Sequence, residues 1–155
     1  MSGLMQEVGD AVVTALNTAE QAAQFAPHSF EAYRPYDLRK DVTKMPVGEL
    51  DILVKTMEEE ETDAGRALVQ VVYTIEVGVR VRVADREPET IDPYCILASQ
   101  IRDLFRRAEL TLESGLKVKN ISRKILAPWD SASLDQFSVF MSAVRLEFQA
   151  LRKLV

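Results

Sequence analysis

Reactive side chains are few in this chain, and they do not cluster. There is one histidine, His28, and one cysteine, Cys95. A thiol nucleophile needs a base within hydrogen-bond reach, and the one imidazole stands far off in sequence. Cys95 falls near an expected helix start, where a thiolate is favoured, but without a base it reads as a packed thiol. His28, next to Pro27, reads as a solvated or packing residue. A zinc site needs several Cys or His ligands, and one of each is too few. The strings G-x-x-x-x-G-K-[ST], G-x-G-x-x-G and G-x-S-x-G do not occur. The residues therefore predict no catalytic, cofactor-binding or metal-binding site.

Charged and aromatic residues point instead to contacts. Glu58, Glu59, Glu60 and Glu61 are consecutive, whereas calcium loops space their carboxylates and bend at glycine. The run EEEETDAG, residues 58–65, reads as an acidic loop that is solvated or faces a neighbouring subunit. Arg80 and Arg82 lie two apart on one strand face. They can grip carboxylates across an interface, or simply form a solvated strand face. Trp129, after Pro128, either anchors an interface or caps the core. With Phe148 in the last segment, these eight residues are the candidate subunit-interface set.

The elements that must position them start from LVQVVYTIEVGVRVRV, residues 68–83. Every odd position from Val69 to Val83 is apolar, while Gln70, Thr74, Glu76, Gly78, Arg80 and Arg82 are polar or small. Alternation of this kind is a β-strand with one dry face. At ~3.3 Å per residue such a strand reaches roughly 50 Å. A domain of this size is about 40 Å across. The strand therefore either bends, with Gly78 the expected place, or sends one end out to pair with something else. Residues 49–57, ELDILVKTM, form its expected hairpin partner, with Leu50, Ile52 and Val54 on one face.

Residues 4–23 predict an amphipathic helix with Leu4, Val8, Val12, Ala15, Leu16 and Ala19 on its apolar side. The proline-bounded HSFEAYRPY, residues 28–36, predicts an edge strand. A polar connector follows to Gly48. Asp92 as N-cap and Pro93 in the first turn predict a second helix to about Leu110, with Leu97, Ile101, Leu104, Phe105 and Ala108 buried. Residues 116–126 alternate loosely and suggest a strand, and Ser131 to Leu134 a single helical turn. The last segment fits both a helical stripe and a strand face, and its β-branched and aromatic content favours a strand over residues 137–149.

At 155 residues the chain fits one domain, residues 1–155, that buries ~70% of its unfolded surface. The fold class expected is α+β: a mixed, mostly antiparallel sheet with a long β-hairpin, packed against two main helices. A net charge of −5 disfavours a body-wide nucleic-acid surface, which would be basic. One cysteine allows no intrachain disulfide. No apolar run approaches the ~20 residues that span a bilayer, and the first residues lack a signal-peptide pattern. No membrane association is expected.

This order of elements resembles the tail-terminator and neck (head–tail joining) proteins of long-tailed bacteriophages. The resemblance is carried by FEAYRPYDL (residues 30–38), an aromatic strand with an acidic-leucine step. It is carried also by YTIEVGV (73–79) as the central strand and IRDL (101–104) in the second helix. FSV (137–139) through LEF (146–148) matches the closing strand. The resemblance implies a non-enzymatic virion protein made in the host cytoplasm. Such a protein forms a homo-oligomeric ring, usually a hexamer, that caps the tail tube and joins it to the head. It implies a tail-tube protein and a head-completion or connector protein as partners. Genomic DNA would pass through the ring without sequence-specific binding. Two alternatives stay open: a head-completion (stopper) protein of the same neck, and a small α+β ligand-binding or regulatory domain.

Overall fold

The computed structural model describes residues 3–36, 40–127 and 131–153. Its first element is a helix, α1 (Leu4–Gln21), whose Val8, Val12 and Leu16 recur at helical spacing and are fully buried. Helix α1 stops two residues short of the expected end: Ala23 turns into the left-handed region, and Gln24 N–H closes on Ala19 C=O at 3.0 Å.

A curled five-stranded antiparallel sheet is the body of the fold. Its strands are β1 (Leu50–Gly65), β2 (Leu68–Arg82), β3 (Glu109–Thr111), β4 (Lys117–Ala127) and β5 (Val139–Lys153). The spatial order is β1-β2-β5-β4-β3, so the last strand of the chain sits in the middle of the sheet. The alternation of β2 is used as expected: Val69, Val71, Tyr73, Ile75, Val77, Val79 and Val81 all face the core. From β5 the same face receives Phe140, Val144, Leu146 and Phe148. Strand pairing therefore settles the ambiguous C-terminal segment as β5, and the short helix α3 (Ser131–Phe137) precedes it.

Helix α1 covers β1, and helix α2 (Pro88–Leu104) covers β5 and β4, both on the dry face. Helix α2 begins a turn earlier than expected. Pro88, not Pro93, takes the first helical position, where the missing N–H costs nothing. Asp85 accepts from Glu87 N–H at 2.9 Å just before it. Its end also comes sooner, because Phe105 caps it and Arg107 adopts a left-handed φ of 57°. Leu97, Ile101 and Phe105 are buried as the helical stripe requires. Among the described residues, no helix is long and apolar enough to cross a membrane.

Gly78 does not interrupt the strand. It sits in unbroken ladders opposite Leu53 and Ala143. Its missing side chain is needed for close approach, since a Cβ there would lie 3.2 Å from Leu53 Cγ. The irregularities fall in the outer strands: β1 shifts register between Thr56 and Glu58, and β4 at Ile121 and again at Leu126. The expected edge strand over 28–36 reduces to one parallel bridge, Tyr33 to Leu53. Here the chain is held from the side. Asn17 of α1 both donates to Ala32 C=O and accepts from Ala32 N–H, and Asp10 pairs with Arg34 at 2.7 Å.

Candidate subunit interface

The second face of the sheet, away from the helices, carries a polar clasp at the inner end of β1. Asp51 and Arg80 stand opposite each other in the β1–β2 ladder. Asp51 is 1% exposed and Arg80 8%. Arg80 Nε donates to Asp51 Oδ2 at 2.9 Å, and its Nη2 donates to the same oxygen and to Lys40 C=O. Tyr33 Oη donates to Asp51 Oδ1 at 2.7 Å. Burial first, then that hydrogen bond and the carboxylate's charge, pushes the Tyr33 hydroxyl up to about 12, against the opposing Arg80 cation. Lys40 stacks its ammonium 4.7 Å from the Tyr33 ring. Arg82 Nη1 reaches Met45 C=O at 3.4 Å. Arg80, expected at a subunit contact, is thus turned inward, and Arg82 stays half-buried, both tying the connector between α1 and β1 to the sheet.

Phe148 is likewise not presented to a partner. It is fully buried, edge-to-face with Phe105 at 6.1 Å. An inward position on a central strand of a helix-covered sheet leaves no other outcome. Trp129 lies outside the described residues. Cys95 is well inside α2 instead of at its start, and burial, then the charge of Asp92, pushes its thiol up.

Of the expected interface set, the four glutamates remain exposed. They do not form a loop. Residues 58–65 continue β1, with Glu58 opposite Thr74, Glu59 opposite Tyr73, Glu60 opposite Val72 and Glu61 opposite Val71. Consecutive glutamates are poor strand formers, and the long regular partner β2 overrides that preference. Side chains on a strand alternate faces. Glu59 and Glu61 therefore share the helix side with Tyr73 and Val71, while Glu58 and Glu60 point to the second face. They diverge and cannot converge on one cation. Among the described residues no group of three or more His, Cys, Asp or Glu is placed to hold a metal ion.

Among the described residues, both sides of the sheet end in open backbone. On one side, β1 beyond the Tyr33 bridge has β2 as its single neighbour among the described residues. On the other, β3 pairs only with Lys117 to Lys119 of β4, so residues 121–127 have β5 as their single neighbour among the described residues. That second edge was not singled out from the sequence. It carries Arg123 and Lys124, and the alternating KVKNISRK was the signal for it. Arg123 shares the helix side with Leu146, and Lys124 shares the second face with Arg145. Arg145 in turn pairs with Glu76 at 3.0 Å in mid-sheet. The register breaks leave Met57 on the acidic edge and Ile121 and Leu126 on the basic edge as exposed large apolar side chains.

No protein-family model and no curated protein matches this chain.

Proposed function

We propose that this chain is a non-enzymatic structural protein of a long-tailed phage virion. Its copies close into a ring, most simply a hexamer, that caps the finished tail tube and joins it to the head. The observation that carries this reading is the sheet with two open edges, one acidic and one basic, on opposite sides of one protomer. An unpaired strand edge is a template for association and must be covered or charged. A cyclic ring covers both edges of every copy with one repeated contact. The element order of the resemblance described above and the absence of catalytic strings in the sequence point the same way. The partners are a tail-tube protein on one face and a head-completion or connector protein on the other. An acidic net charge suits a channel through which duplex DNA slides instead of sticking.

The test is native mass by light scattering over a concentration series, with negative-stain imaging, alone and after addition of tail tubes. Rings of about six copies with a central hole, bound to tube ends, are the expected result. A monomer that ignores tubes overturns the proposal. Attachment to portal-type head complexes in place of tubes reassigns the chain to head completion.

A further inference from the structure

We infer that neighbouring copies join edge to edge. The acidic outer half of β1 in one copy pairs with the free edge of β4, residues 121–127, in the next. This contact rests on the ring reading above and names its surfaces.

Charge is the first argument. The β1 edge presents Glu58, Glu59, Glu60, Glu61 and Asp63, all exposed. Among the described residues no Lys or Arg lies within 4.0 Å of any of them. The β4 edge presents Arg123 and Lys124, with Lys119 beside them, and none of these has a carboxylate within 4.0 Å among the described residues. Unlike charges opposite one another stabilise a strand pair and like charges oppose it. Two β1 edges would set glutamate against glutamate, and two β4 edges cation against cation. A two-fold dimer through either edge is therefore disfavoured, and a head-to-tail contact, the kind that generates rings, is favoured.

Direction is the second argument. Along the order β1-β2-β5-β4 every neighbour is antiparallel, so β4 runs opposite to β1. A copy displaced sideways, with little rotation about the sheet normal, brings its β1 antiparallel to β4 and continues the same ladder. Faces match as well. Glu58 and Glu60 share the second face with Lys124, and Glu59 and Glu61 share the helix side with Arg123.

Register is the third. Followed through the ladders, Lys124 is level with Arg145, Glu76 and Lys55, while Glu60 is level with Val72, Gln149 and Lys119. The two free edges are thus offset along the unbroken β2 and β5 by about four residues, ~13 Å at ~3.3 Å each. Pairing them staggers each copy against the last and tilts the strands to the ring axis, the geometry by which sheets close on themselves. Met57, Ile121 and Leu126, exposed by the register breaks, lie along the edges that come together.

The experiment uses charge reversal in the full chain. One variant carries Glu60→Lys and Glu61→Lys, the other Arg123→Glu and Lys124→Glu. Circular dichroism and melting confirm that each is folded. Each variant alone should fail to form the rings that the unmodified chain forms at the same concentration, with or without tail tubes. A one-to-one mixture should recover rings of alternating copies, because each reversed edge then meets its opposite. Recovery also separates a lost contact from a lost fold. If the unmodified chain forms rings and both folded variants form them equally well, the edge contact is wrong and the ring reading stands. If the folded variants stay apart when mixed, complementarity of these edges is wrong. If the unmodified chain never assembles, or stops at a two-fold dimer, contact and ring reading fall together.

Discussion

Asp51 and Arg80 face each other across the β1–β2 ladder, and both are withdrawn from water. A buried ion pair contributes little net stability over an apolar pair, but removing one partner strands a charge. Arg80→Met alone, or Asp51→Leu alone, should cost about 3–5 kcal/mol in urea unfolding, while the double variant should lose clearly less than the sum. Additive losses would mean that the two groups do not depend on each other. Tyr33 reports on the same clasp. Its folded value of about 12 lies above the ordinary tyrosine value of 10.0. The folded state holds this proton more tightly than the unfolded one, so the stabilising contribution is complete below pH ~10 and disappears as pH rises towards ~12. Ultraviolet titration should show the Tyr33 phenol ionising well above the ordinary tyrosine value, and Asp51→Asn should bring it down. A Tyr33 that titrates at the ordinary tyrosine value of 10.0 would contradict the hydrogen bond at 2.7 Å.

At the scale of elements, β1 is two different strands joined at a register break. Its inner half is core: Leu50, Ile52 and Val54 face the helices. Its outer half is an exposed edge made of carboxylates, which are among the devices that keep an open edge from pairing indiscriminately. Replacing Glu58, Glu59, Glu60 and Glu61 together by threonine keeps strand propensity and removes the charges. The folded variant should scatter light and precipitate at concentrations where the unmodified chain stays clear. A variant that remains as soluble would show that the carboxylates do not protect this edge. The position of β5 has its own consequence. The last strand lies between β2 and β4, so the two halves of the sheet cannot join until the chain end is in place.

For the whole molecule, charge is distributed across the sheet as a gradient. Carboxylates hold the β1 edge, the Glu76–Arg145 pair sits in the middle, and Arg123 and Lys124 hold the free β4 edge. The proposed head-to-tail contact, built on these groups, would be exposed to salt at its rim. The Debye length falls from ~10 Å at 0.1 M to ~3 Å at 1 M, so rings should shift to smaller species as salt rises. Sedimentation at the two ionic strengths reads this directly. Rings that tighten with salt would assign their stability to apolar contacts, and Met57, Ile121 and Leu126 would be the first residues to test.

By itself the sequence determined the parts whose signals are local. A two-residue period over fifteen residues, with the apolar side all β-branched or aromatic, admits little but a half-buried strand. Helical spacing of Val8, Val12 and Leu16, and of Leu97, Ile101 and Phe105, likewise placed the two helices and their buried sides. The α+β class follows from those elements. Only the tertiary structure decided what depends on neighbours distant in the chain. Four glutamates look like a loop until β2 offers them a ladder. The C-terminal segment fits two periods until β2 and β4 flank it on both sides. Arg80 looks solvated until Asp51 appears opposite and Tyr33 and Lys40 close over the pair. The basic β4 edge looks like an ordinary surface strand until the sheet order puts it on the outside, opposite the acidic one. Periodicity is a property of consecutive residues, whereas burial, pairing and exposed edges are properties of the residues that folding brings alongside them.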